Sequence, residues 1–279
     1  RSRISGSLLN QLWSGELQEG WLETPLGQWL PDLPLTFGYD LETRSATITN
    51  HCWHSQTARF CLDEPAMVGT SGNINVSLQD FSLSRITDLL PQGIFWQGTL
   101  KGSAVAAWEP DSPPKAEFSL SAGPGRVDID QAGQKLQSDY QQLELNGSVN
   151  QHESSAELTL RSHMLGRGEV RLELITAVGE PRISGEFHLA SLQLGLLRPF
   201  IAPLDKISGS LDADGTVDGP LKKPQVAGTI VLRDGHLDGP KLATEIEQVN
   251  AQLRLEKDQA LLQGDLILGK GRAELDGAF

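Results

Sequence analysis

The chain reads as all-β: an elongated, mostly antiparallel sheet with two short helical insertions. Three observations predict this. Apolar and polar residues alternate in short segments. Examples are Ala156-Glu157-Leu158-Thr159-Leu160-Arg161, Val170-Arg171-Leu172-Glu173-Leu174, Phe187-His188-Leu189, Leu253-Arg254-Leu255 and Ala273-Glu274-Leu275. A period of two gives one apolar and one wet face, the pattern of half-buried antiparallel strands. Second, 29 Gly and 15 Pro are spread evenly and punctuate these segments, with turns at roughly 8–12 residue spacing as in all-β proteins. Third, a unit recurs. Val76, Leu78, Phe81 and Leu83 are matched by Phe187, Leu189, Leu192 and Leu194, an offset of 187 − 76 = 111 residues. Repetition of one unit along an axis predicts a quasi-one-dimensional stack.

Taken in order, residues 1–67 hold Trp13, Trp21, Trp29 and Trp53 and both cysteines, and suggest a heavier core or an end of the stack. One unit covers about 68–178 and a second about 179–279. Each runs strand, short helix, then a meander of strands. The helical periodicity falls at 83–90 and 192–201, and both stretches stop near a proline, Pro91 and Pro203. About twenty strands at ~4.8 Å spacing would make a body roughly 95 Å long.

Composition limits what such a chain does. It has 279 residues, 23 Lys plus Arg against 36 Asp plus Glu, and a net charge of −13. That balance argues against binding a phosphate backbone, so no nucleic-acid partner is expected. An apolar fraction of 38% is too high for a disordered tail, yet thin for one large globular core. The longest apolar run is about five residues, at 104–108, far short of the ~20 of a membrane-spanning helix. The sequence begins Arg1-Ser2-Arg3 without Met and reads as an excised or mature fragment.

Cys52 and Cys61 lie in the run 47–62 (TITNHCWHSQTARFCL). Read as a hairpin turning near Gln56 and Thr57, it brings the two face to face. A bridge there would stabilise by roughly 2–3 kcal/mol and would persist in an oxidising compartment such as the periplasm. Two free buried thiols remain an alternative. So does a metal site with His51 and His54, although only half of a zinc-type ligand pattern is present.

No constellation points to catalysis. The run Asp212-Ala213-Asp214-Gly215-Thr216 resembles part of a calcium loop, but Thr216 and Lys223 stand where such a loop needs carboxylates. A strand with polar outward residues is the expectation. Gly166-Arg167-Gly168 and Gly269-Lys270-Gly271 lack the third glycine and following helix of a dinucleotide site. His152, His163, His188 and His236 are expected on the surface. Neither enzyme activity nor a cofactor or metal is expected.

At this point residues 207–235 (ISGSLDADGTVDGPLKKPQVAGTIVLRDG) carry a resemblance. They resemble the repeating Gly-x-Leu and Gly-x4-Pro text of the TamB family, within the AsmA-like, bridge-like lipid-transfer superfamily. The ending 268–277 (LGKGRAELDG) resembles the same family's strand-closing phrase, and 21–29 (WLETPLGQW) followed by the cysteine hairpin is also similar. The resemblance covers essentially the whole chain. It implies a sheet rolled into an open taco with an apolar concave groove. It implies a periplasmic location in a Gram-negative bacterium, inner-membrane anchoring by a helix that this sequence lacks, and an outer-membrane barrel partner like TamA. The implied roles are moving phospholipid between inner and outer membranes and supporting assembly of outer-membrane proteins such as autotransporters. This chain would be an interior or late piece of such a protein.

The alternating pattern and the resemblance meet in one physical requirement. A continuous apolar face must be covered. A second sheet, phospholipid acyl chains in a gutter, or unfolded outer-membrane protein strands each satisfy it. Buried acyl chain contributes ~0.8 kcal/mol per CH2 without directional contacts. The residues expected to line the gutter are Leu158, Leu160, Met164, Val170, Leu172, Leu174, Phe187, Leu189, Ile230, Leu232, Leu253, Leu255, Leu266 and Leu268. The competing expectation is a closed β-solenoid or stalk with no groove.

Overall fold

In the computed structural model the described residues are 2–32, 34–131, 134–162, 166–176, 180–195, 206–240, 242, 244–256 and 259–279. Short strands dominate the beginning: β1 (Ser2–Leu9), β2 (Leu12–Gly20), β3 (Leu22–Thr24), β4 (Gly27–Pro31), β5 (Leu35–Asp40), β6 (Ser45–Ile48), β7 (His51–Ser55), β8 (Ala58–Leu62) and β9 (Ala66–Val68). The middle holds β10 (Gly72–Ser82), a 3-10 helix (Leu83–Leu89), β11 (Ile94–Gln97), β12 (Thr99–Glu109), β13 (Ser112–Ala122), β14 (Gly125–Gln131), β15 (Gln134–Val149), β16 (Glu153–Ser162) and β17 (Gly166–Ile175). Then come β18 (Arg182–Gln193), β19 (Lys206–Pro220), β20 (Gln225–Asp238), β21 (Ile246–Glu256), β22 (Gln259–Leu268) and β23 (Gly271–Ala278).

All 23 strands belong to one antiparallel sheet. From β15 to β23 each strand pairs with its neighbours in sequence. The sheet forks at β10, which pairs with β12 on one side and with both β8 and β9 on the other. Beyond β9 one branch runs β6, β5, β2, β1. Beyond β8 the other runs β7, β4, β3.

Bulges crease this sheet. Register slips occur between Leu78 and Phe81, Tyr140 and Gln142, Leu189 and Leu192, Leu232 and Gly235, and Glu247 and Asn250. Asp80, Ser191, Asp234 and Gln248 have φ near +50 to +60° at four of these points (50, 62, 51 and 49°). A bulge bends its strand and raises local twist. The slips recur at intervals across the sheet, on β10, β15, β18, β20 and β21, and each bends its strand, so the sheet is rolled.

The fold is open. Among the described residues, β1 pairs only with β2 and β23 only with β22, so the sheet does not close into a solenoid. The accessible surface is 17424 Å², against about 11,800 Å² for a compact monomer of this mass. No large side chain falls below 2% exposure among the described residues.

Leu83, Ala122 and Tyr140 form a densely packed cluster among the described residues, with Ile86, Trp96 and Leu100 against it. It sits where the 3-10 helix lies in the crease. Tyr140 accepts a hydrogen bond from Trp96 Nε1 (3.1 Å) and donates to the Gln97 carbonyl (3.2 Å). The first expected helical insertion is this 3-10 helix. Of the second, Leu192 and Gln193 continue β18 and residues 194–195 turn out of it. The remainder, 196–201, lies outside the described residues.

Candidate functional site: an open apolar gutter

Residues opposite each other on paired strands share a face, as do residues two apart along a strand. Leu158 faces Val170, and Val170 faces Phe187. Leu160 faces Gly168, which faces Leu189, then Ala213, Ile230, Leu253 and Leu262 in turn. Leu172 and Leu174 lie two and four residues from Val170 on β17. Leu232 and Leu255 join through Ile230 and Leu253, two residues away on the same strands, and Leu266 and Leu268 follow Leu262 along β22. Thirteen of the fourteen residues expected in the gutter thus share one face. The other, Met164, lies outside the described residues, as does His163.

These side chains are not roofed. Leu158 is 38% and Leu268 40% exposed, and the other eleven are half-buried. Phe187 leans across β19 over Gly215, where a Cβ would stand 2.5 Å from its ring. Glycine at 215 therefore lets the ring lie flat along the floor.

The same face continues towards the beginning of the chain, where sequence reasoning named no residues. Leu78 faces Phe60, Phe60 faces Trp53, Trp53 faces Pro31, and Leu22 faces Trp29. Leu22, Trp29, Trp53, Phe60 and Leu78, with Phe81, Ile86 and Leu100, line a cavity of about 470 Å³. Along the other branch Leu8, Trp13, Phe37, Tyr39 and Ile48 line a hollow of about 610 Å³. The eight-residue spacing of Trp13, Trp21 and Trp29 was the available signal, but it does not say which rings share a face.

The opposite face is polar. Arg171 reaches Glu157, Glu169 and Glu186 at 3.1, 2.6 and 3.0 Å. Its hydrogen bonds to Glu157 and Glu186 raise the guanidinium above its ordinary value. Asp212 pairs with Arg233 and Asp214 with His188, so the calcium-like run is a strand carrying outward carboxylates. Burial pushes the Tyr140 phenol up, with the bond from Trp96 working against it.

Cys52 and Cys61 face each other across the β7–β8 hairpin at an S–S distance of 2.10 Å, and the hairpin turns at Gln56 and Thr57. His54 instead meets Asp32 at 3.2 Å. His152 and His188 are exposed. His236 departs from the surface expectation: its side chain is 16% exposed against Glu245. His236, Glu245 and Glu247 converge closely enough for a metal ion, but Lys206 Nζ stands 3.8 Å from Glu245 and already supplies a positive charge.

No helix among the described residues is long and apolar enough to cross a membrane. No solved structure matches the chain significantly. The family model described as "TamB, N-terminal domain" matches residues 1–232. That match replaces the expected interior or late position with the family's N-terminal domain. A rolled antiparallel sheet with one apolar face, and a family match over most of its length, lead to one conclusion: the chain belongs to the TamB family, a non-enzymatic transport and assembly family of the bacterial envelope.

Proposed function

We propose that the gutter carries phospholipid acyl chains across the periplasm between the inner and outer membranes. In this reading the chain supports assembly of outer-membrane proteins, autotransporters among them, together with a TamA-like barrel partner. The observation that carries it is the apolar face running from Leu8 on β1 to Leu275 on β23, covered at the crease and open on either side of it. A face of that extent needs a cover, and acyl chains supply one without directional contacts. The polar ladder around Arg171 on the opposite face suits water.

The chain is built, in the same reading, from two units at 68–178 and 179–279. Asp80 and Ser191 both take positive φ, as do Gly98 and Gly209 (141 and 123°), and each pair is 111 residues apart (191 − 80 and 209 − 98). A bridged Cys52–Cys61 hairpin fits an oxidising compartment.

The test is a charge in the gutter. Leu255→Arg and Leu266→Asp leave the circular dichroism spectrum unchanged and abolish lipid co-purifying with the chain. Folded variants that carry lipid like the parent would sink the proposal.

A further inference from the structure

We propose that Arg85 anchors the phosphate of a phospholipid whose acyl chain fills the apolar cavity under the β3–β4 hairpin. This rests on the lipid-gutter reading and adds to it a headgroup site. The cavity, about 470 Å³, lies in the range of roughly 300–1,000 Å³ usual for ligand sites. Its wall is almost wholly carbon, from residues such as Leu22, Trp29, Trp53, Phe60, Leu78 and Phe81.

A cation, Arg85, packs against two of these lining rings. The Arg85 guanidinium carbon lies 5.6 Å from the Trp29 ring centre and 5.4 Å from that of Phe81. Arg85 Nη2 donates to Ser55 Oγ at 2.6 Å and Nη1 to the Ser55 carbonyl at 3.2 Å. Ser55 is 4% exposed, so this mount is fixed. Gly27, at φ +109°, makes room for it: a Cβ there would stand 2.4 Å from Arg85 Nη2.

Among the described residues the guanidinium has no ion-pair partner, in a chain whose 36 acidic residues outnumber its 23 basic ones. Six arginines, Arg59, Arg126, Arg171, Arg182, Arg233 and Arg272, form ion pairs. Arg3, Arg44, Arg161, Arg167 and Arg254 share with Arg85 the lack of one among the described residues. Arg85 differs from those five in being stacked on two aromatic rings and bonded to a buried serine. A guanidinium has five N–H donors in a planar fork, and two bonds to Ser55 leave the others for an anion. That fork suits a phosphate diester. An anion held there with an apolar tail in the cavity satisfies both halves of the site.

The experiment compares phosphatidylglycerol with diacylglycerol of the same acyl chains, incubated with the purified chain and counted by native mass spectrometry. The parent chain is expected to retain phosphatidylglycerol over diacylglycerol by about tenfold or more, as for a charge-assisted contact. Arg85→Met, which keeps an apolar stem against Trp29, erases the ratio while diacylglycerol still binds. Equal retention of both lipids by the parent chain, or an undiminished ratio in Arg85→Met, overturns the headgroup site and leaves the gutter standing. Retention of neither lipid by the parent chain overturns the gutter reading as well.

Discussion

Two stretches of the same sheet handle the same apolar alternation differently. At the crease, Leu83, Ala122 and Tyr140 are 2, 3 and 3% exposed. A few strands on, Leu158 is 38% exposed, and at the far end Leu268 is 40%. The crease is covered because Leu83 of the 3-10 helix packs into it and because β14 and β11, paired alongside the first half of β15, bring Val127 and Trp96 against it. Nothing in the described chain does this for the later strands. Burial here comes from local packing, and the alternating pattern alone does not produce it.

The largest contrast is expected from truncation. Leu83→Ala should cost about 3 kcal/mol, as for a fully buried leucine with no room to collapse. Leu158→Ala should cost less than about 1 kcal/mol, since much of its area is already in water. Denaturant unfolding of the pair measures the difference directly, and equal costs would erase the distinction between crease and gutter.

Tyr140→Phe is the next test, at about 1–2 kcal/mol, because Trp96 Nε1 and the Gln97 carbonyl lose their partner. It carries a pH signature. Folding raises the Tyr140 phenol above its ordinary value of about 10. The unfolded chain therefore ionises first, and stability falls as pH climbs from about 10 through the raised folded value. Tyr140→Phe should flatten that alkaline slope in melting temperature.

Leu255→Arg sharpens the comparison from the open side. In a gutter the long side chain bends out to water, and unfolding free energy should shift by under about 1 kcal/mol. A closed interior would instead lose several kcal/mol to an unpaired charge. Arg171→Gln, on the polar face, should move the unfolding midpoint least of all, because exposed ion pairs contribute little.

That Leu158, Val170 and Phe187 share one apolar face was legible because their strands pair in chain order. They need only a period of two and a meander to fall in line. The cavity at the other end was not legible. It depends on β10 pairing back to β8 and β7 to β4, which no local pattern announces, and β3 and β4 are too short to show alternation. The crease was hidden for another reason. Asp80, Ser191, Asp234 and Gln248 take left-handed backbone angles that sequence normally signals with glycine. Each shifts the parity of its strand, so Leu232 and Leu237 lie on one side of the sheet although they are an odd number apart.

The neighbour-to-neighbour order from β15 onward makes length an adjustable quantity. Removing a hairpin, such as β21 with β22, deletes an even number of rungs. Chain direction and oily side are then preserved on either flank of the cut. Span would change in steps of about 10 Å, two strand widths at a time, so such a ribbon can be tailored to a gap of given width by counting hairpins.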